Sequence, residues 1–260
     1  MLVFFNDLIL QKNDFLCNIL AAFCVKKIKK HSIMKRTKLL SLSLLTIMLV
    51  CSCVHVRTGI KHETEVKTVK QLTKMNPFDE VEIAGPMSVI FEQNGTYTVR
   101  VETSPETFDK LVIYVEDKQL HIDTKDNVSI DDEVKVYVTS PSLAGIDLAG
   151  SGTFDAPQPL AVRDLDLDLA GSGNIHVKQL TCSELSIDLA GSGNMNFEQV
   201  EAQRVETDIA GSGNVKFSNL QADRAESSIS GSGNIVMSGS VRHHVENISG
   251  SGQVDTSGLK

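Results

Sequence analysis

Asp147, Asp168, Asp188 and Asp208 are the side chains of this sequence that first invite a chemical reading. They recur at intervals of 21, 20 and 20 residues, each followed by a leucine or isoleucine and each three positions before a glycine. Strict alternation of apolar and polar residues belongs to a strand, so the four carboxylates share one outward face. At about 5 Å, neighbouring carboxylates repel by roughly 1 kcal/mol in water and about four times that at an effective dielectric of 20. The column is therefore tolerable only on a wet face. It reads either as a strip that holds a cation or sugar hydroxyls, or as a solvated edge that discourages lateral aggregation.

Paired carboxylates also hydrolyse glycosidic bonds, but that chemistry needs unlike groups converging in a cleft. Here the outward residues repeat instead of diversifying. Arg163, Arg204 and Arg224 fall at one position of the repeat, with Glu184 in the same place and Glu206 and Glu226 two residues on. Neutralising cross-strand pairs account for them better than a uronate-cleaving site. A serine ladder (Ser151, Ser172, Ser192, Ser212, Ser232, Ser251) has no histidine column beside it, so Ser-His-Asp chemistry is unsupported. His243 and His244 are adjacent and face opposite ways on a strand, which makes a shared chelate improbable. The sequence predicts no catalytic residue, no metal site and no cofactor.

The element that must carry these columns is a tandem repeat. The phrase Gly-Ser-Gly-Asn, or a variant, begins at Gly150, Gly171, Gly191, Gly211, Gly231 and Gly250. Two residues before it stand Leu148, Leu169, Leu189, Ile209, Ile229 and Ile248; four after it stand Phe154, Ile175, Met195, Val215, Ile235 and Val254. Period-two alternation on both sides of the glycines makes both arms strands. About twenty residues is too short for a βαβ unit, which takes about 30 or more. The spacing fits one coil of a parallel β-helix, in which stacked coils align each position into a ladder. Asn174, Asn194, Asn214 and Asn234 would form such a ladder, amide on amide. A weaker copy begins at Glu82-Ile83-Ala84-Gly85.

Between that copy and the regular coils lies an insertion, 92–140, rich in hairpin signals. Asn94-Gly95 marks a two-residue turn between 88–93 and 97–103, and Asp117-Lys118 marks another between 111–116 and 119–124. Ser104-Pro105 has the form of a helix start. These hairpins are expected to shield the N-terminal edge of the stack. The C-terminal coil is weaker: Gln253 replaces asparagine, and Ala225 and Ser227 thin the core. That end reads either as poorly capped or as a place where a partner, a second copy included, docks.

The chain has 260 residues, a formal charge of −8, no tryptophan and five cysteines. It lacks a basic stripe, which argues against nucleic acid as a partner. Met34-Lys35-Arg36-Thr37-Lys38 is a basic n-region, 39–50 is apolar and shorter than the roughly 18–20 residues of a spanning helix, and Val50-Cys51-Ser52-Cys53 fits a lipobox. Residues 34–52 thus read as a lipoprotein signal peptide, with Cys53 as the lipid acceptor, and 53–75 as a flexible tether. Residues 1–33 precede a complete signal and read as a non-native extension, with the true start at Met34. After cleavage only Cys182 keeps a free thiol; it shares a position with Ala202 and Ala222 and reads as a small core filler.

The repeated Ala/Ser-Gly-Ser-Gly-Asn-Ile/Val phrase, the segment 78–89 and the segment Val136-Tyr137-Val138-Thr139-Ser140-Pro141-Ser142-Leu143 resemble the putative auto-transporter adhesin, head GIN domain family, common among Bacteroidetes lipoproteins. The resemblance covers about 78–255. It implies a surface or periplasmic β-solenoid with an adhesive role, and it supplies no catalytic residues. The expectation is an all-β protein: a parallel β-helix of ~20-residue coils over 76–255, with the hairpin insertion at 92–140 and regular coils at 143–255. Its expected function is that of a non-enzymatic, lipid-anchored envelope protein contacting glycan or surface protein, attached to the outer membrane and facing either the periplasm or the outside. Two alternatives stand beside it: a carbohydrate-active enzyme using the aspartate strip, and a structural component of an envelope complex.

Overall fold

The computed structural model describes residues 68–72, 75–125 and 129–260. The extension 1–33, the signal peptide 34–52 and Cys53 lie outside the described residues. The described residues are 73% strand and wind into a parallel β-solenoid of about 6 turns. Its strands, in chain order, are β1 (Thr68–Leu72), β2 (Glu80–Ala84), β3 (Ser88–Gln93), β4 (Thr98–Thr103), β5 (Leu111–Glu116), β6 (Gln119–Thr124), β7 (Lys135–Ser140), β8 (Gly145–Gly150), β9 (Thr153–Ala161), β10 (Asp164–Gly171), β11 (Asn174–Thr181), β12 (Glu184–Gly191), β13 (Asn194–Gly211), β14 (Asn214–Gly231), β15 (Asn234–Gly250) and β16 (Gln253–Leu259). A four-residue helix, α1 (Pro105–Phe108), follows β4.

Successive coils pair in register across the predicted columns. Leu148, Leu169, Leu189, Ile209, Ile229 and Ile248 align on one arm, and Phe154, Ile175, Met195, Val215, Ile235 and Val254 on the other. Inward residues of the central coils are fully buried, and like side chains stack: the Phe197 and Phe217 rings lie 5.0 Å apart at 15°. Burying each Leu, Ile or Phe contributes about 1.5–3 kcal/mol, against roughly 1–2 kcal/mol of backbone entropy for each ordered residue. One coil cannot offset its own ordering, so stability is a property of the stack.

The glycines are dictated by rung spacing. Gly171 has φ +131°, and a Cβ there would stand 2.4 Å from the carbonyl oxygen of Gly150 on the rung below. That carbonyl accepts the Ser172 N–H at 2.9 Å, so the corner cannot open without breaking the ladder. Beside the corner runs the asparagine ladder. Asn194 Nδ2 donates to Asn174 Oδ1 at 3.1 Å, Asn214 to Asn194 at 3.0 Å, and Asn234 to Asn214 at 2.9 Å.

The N-terminal insertion folds differently from the sequence expectation in one respect. β5 and β6 form the expected hairpin, with Asp117 and Lys118 at φ 47° and 68°. β3 and β4 do not pair. β3 is parallel to β7 and β9, and β7 lies between β3 and β4. The physical reason is the turn itself. A two-residue hairpin of the expected type needs positive φ at both central residues, and neither Asn94 nor Gly95 has it. Asn94 Oδ1 instead accepts the Thr96 N–H at 2.9 Å, and the chain steps across the edge of β7. The insertion thereby supplies an extra rung: β6 continues β2 in parallel and β7 continues β3. Antiparallel β5 and β4 then cover its two outer edges. Ser104 caps α1 as expected, accepting the Thr107 N–H at 3.2 Å, and Asp132 holds both hydroxyls of Ser104 and Thr107 at 2.5 Å.

Residues 68–72, placed in the tether by the sequence reading, form β1, antiparallel to β4. The tether therefore ends earlier than 75, because β4 offers an edge for the chain to pair with. The Arg column also needs correction. Asp164, not Arg163, aligns with Glu184, Arg204 and Arg224. β9 carries one more residue between Ala156 and Pro159 than β11 carries between Val177 and Gln179, so counting from the glycine slips by one.

Candidate functional site

The outward aspartates come together as the alternation requires. Asp147 on β8, Asp168 on β10, Asp188 on β12 and Asp208 on β13 are Cα partners on consecutive rungs. Each is fixed by buried inward residues on either side, leucine or isoleucine except for Thr207 before Asp208, so a slip of one residue would drive carboxylates into the core. Glu82 on β2 pairs with Asp147 and extends the strip to five carboxylates. The match of Glu82-Ile83-Ala84-Gly85 to Asp208-Ile209-Ala210-Gly211 was the signal that locates it.

The strip is terminated by polar partners. At the sealed end His121 Nδ1 lies 2.5 Å from Glu82 Oε2, and Gln119 Nε2 donates to Asp147 Oδ2 at 2.7 Å. Beyond Asp208 the column continues as Ser228 and Asn247. In the middle the charges are crowded. Partial desolvation, and next the Asp147 carboxylate, push the Asp168 carboxyl up to about 6. Desolvation followed by Asp208 raises Asp188 as well. Beside the strip the outward column Ala190, Ala210, Ser230, Ser249 has small side chains, and this leaves an open cleft of about 260 Å³ along Asp188, Asp208, Ser228 and Asn247. The arrangement offers acceptors for hydroxyl or ammonium donors. Among the described residues no three or more His, Cys, Asp or Glu side chains are grouped to hold a metal ion.

The remaining sequence candidates resolve into packing and pairing. Arg204 lies 3.5 Å from Glu184, 3.1 Å from Glu206 and 3.4 Å from Glu226, and Arg224 lies 3.6 Å from Glu226. Cys182 is buried, and burial pushes its thiol up to about 11, which suits a core filler and not a nucleophile. One cluster on the opposite arm was not singled out from the sequence. His176 sits between Asp155, at 2.8 Å from Nδ1, and Glu198, at 3.2 Å from Nε2. The hydrogen bond to Asp155 is the largest cause that raises the His176 pKa. Its signal was available: the position on the next rung down holds an aspartate.

Solved structures share this architecture. A putative lipid binding protein from Parabacteroides distasonis is 24% identical, with a TM-score of 0.60, over 73% of this chain and 96% of that one. A putative adhesin from Bacteroides fragilis is 20% identical, with a TM-score of 0.59 and the same coverage. A putative adhesin from Parabacteroides distasonis is 21% identical, with a TM-score of 0.50, again over 73% and 96%. At these identities the likeness establishes the fold. No curated protein matches the chain. The family model described as putative auto-transporter adhesin, head GIN domain, matches residues 77–259. With its glycine corners, registered columns and sealed N-terminal rung spanning that same range, the chain belongs to the head GIN domain family of putative auto-transporter adhesins.

Proposed function

We propose that this chain is a non-enzymatic, lipid-anchored protein of the cell envelope that binds glycan or surface protein along the acidic face of its rod. The observation that carries the reading is the registered strip from Glu82 to Asp208 with its open cleft. Identical acceptors at strand spacing suit a repetitive ligand. They do not suit bond cleavage, for which unlike groups must converge on one reacting atom. The family description agrees with a surface or envelope location. Among the described residues no helix is long and apolar enough to cross a membrane. Attachment is assigned to the proposed lipid on Cys53 on the strength of the lipobox at 50–53. The name of one relative raises lipid binding. A formal charge of −8 and an acidic face disfavour anionic head groups as the ligand here.

Two measurements test the anchor and the binding face separately. Cys53→Ala expressed in the native envelope is expected to leave the membrane pellet; retention there removes the anchor. Binding of the full chain to immobilised polysaccharides and surface proteins is expected to weaken in an Asp168→Asn/Asp188→Asn double variant. Release of reducing ends or unsaturated sugar from any of those polysaccharides would remove the non-enzymatic reading.

A further inference from the structure

Followed rung by rung, the interior changes chemistry at the last coil. The inward column Val205, Ala225 continues as His244, and Thr207, Ser227 continues as Glu246. His244 Nε2 reaches back to Ser227 Oγ at 3.2 Å. The neighbouring outward column reverses in the other sense: Glu206 and Glu226 are followed by Val245, which is 55% exposed. Ile248, successor to the buried Ile209 and Ile229, is 39% exposed. Among the described residues, the second arm of β15 pairs only with β14, and β16 pairs only with β15. Backbone donors and acceptors along that outer edge therefore meet no strand. At the opposite end of the stack antiparallel β4 and β5 border the parallel rung, so that end presents a different edge from the one β15 leaves, and two copies of the β15 edge are the matched pair.

We propose that the second arm of β15 pairs antiparallel with the same arm of a second copy, about a two-fold axis at Val245. An isologous contact is the one that two identical open edges can close. The register is selected by the His–Glu pair it forms. Centred on Val245, antiparallel pairing sets His244 opposite Glu246 of the second copy, twice, on the same inner side. Centred one residue later it would oppose Glu246 to Glu246. The pairing also covers Val245 and Ile248, the apolar residues this rung leaves open. Imidazole-to-carboxylate hydrogen bonds across the axis fix the register, and the backbone ladder and apolar cover supply the contact.

The test is cross-linking of the full chain in intact cells under mild oxidation. Directly opposed residues of an antiparallel pair have Cα atoms about 4.5–5.5 Å apart, within the range a disulfide spans. Val245→Cys is expected to give a covalent dimer that the wild-type chain, with its own cysteines, does not. Asn247→Cys, which the same register places about four residues from its copy, is expected not to. His244→Glu in the Val245→Cys background should cut the dimer band by at least about tenfold, since like charges then face each other across the axis. Adding Glu246→His, which restores the His–Glu pair in reversed order, should recover it. Absence of the Val245→Cys dimer, equal cross-linking at Asn247→Cys, or failure of the swapped pair to recover the band overturns the proposal. The inward His244 and Glu246 would then stand as polar groups that blunt an edge against pairing.

Discussion

Alanine substitutions at three glycines separate the causes of corner geometry. Gly95 has no positive φ, and a Cβ there meets nothing within 4 Å. Gly85 has φ +118°, and its nearest contact would be Met87 Sδ at 3.5 Å, an ordinary distance to a flexible side chain. Gly191 has φ +130°, and its Cβ would stand 2.3 Å from the Gly171 carbonyl oxygen and 3.1 Å from the Gly171 carbonyl carbon. Gly95→Ala should therefore be neutral or stabilising by up to about 1 kcal/mol, through the unfolded chain. Gly85→Ala should cost about 1–2 kcal/mol, the strain of an L residue in that backbone region. Gly191→Ala carries the same strain and must also push adjacent rungs apart, with the Ser192 N–H to Gly171 carbonyl bond of 2.8 Å lying at the point of collision. Losing that bond and the packing around it brings the total to roughly 3 kcal/mol or more. Urea unfolding followed by circular dichroism measures all three. Midpoints for a stacked-repeat protein need fluorescence or proteolysis as a second probe, because cooperativity can break between coils. If Gly191→Ala unfolds no earlier than Gly85→Ala, the rung contact is not what fixes glycine at the corners.

Three further outcomes follow from titration and burial. The folded Asp168 carboxyl titrates near 6, above its ordinary 3.8, so the folded state binds a proton more tightly than the unfolded chain and stability falls as pH rises from about 4 to about 6. Asp168→Asn should flatten that fall and be the more stable chain at pH 7 in urea unfolding; an unchanged pH profile refutes the crowding. His176 is raised by Asp155 and Glu198, so its contribution is present below its unfolded pKa of 6.5 and lost as pH rises through the folded value. His176→Gln should lower the unfolding midpoint at pH 6 and leave it unchanged at pH 9. Cys182, buried with its thiol near 11, should resist iodoacetamide at pH 8 in the folded chain and react in urea, read by peptide mass; rapid folded-state labelling contradicts the burial.

Repetition explains how much of this was legible in the sequence. A ladder is written once per coil, so Leu169, Leu189 and Ile209, or Asn174, Asn194 and Asn214, declare their own alignment. Both columns stand in the structure as the sequence placed them. Legibility fails where a coil departs from the common length. The extra residue in β9 moved Asp164 into the place assigned to Arg163. It fails again in the insertion, which has no second copy to compare with. Asn94-Gly95 carries the composition of a hairpin turn, but partner choice was decided by tertiary context: β7, paired with β3 at a separation of 47 positions, lies between β3 and β4. His121 and Gln119 reach the acidic strip only because β6 continues β2 in parallel, a non-local pairing that no local pattern announces. β1 was unreadable for a related reason, since it depends on an edge that only the folded insertion creates.

The acidic strip makes a prediction that distinguishes a ladder from a pocket. In a pocket of unlike groups, one substitution removes the constellation and function collapses. On the proposed contact surface each carboxylate makes its own contact with the ligand, although neighbours perturb one another's titration, and an exposed polar or ionic contact of this kind contributes about 0.2–1 kcal/mol. Asp168→Asn alone should weaken binding by no more than about fivefold. The quadruple variant at Asp147, Asp168, Asp188 and Asp208 should lose about 1–4 kcal/mol in sum, from roughly fivefold to several hundredfold in affinity. A ligand that spans several rungs makes the losses compound, because each contact formed raises the effective concentration of the next. Titrating immobilised glycan or surface protein with the wild-type, single, double and quadruple chains gives the curve. A steady decline with each carboxylate removed fits a ladder. Abolition by Asp168→Asn alone would mean that one rung holds a site of its own, and an unchanged quadruple variant would reduce the strip to a solvated edge.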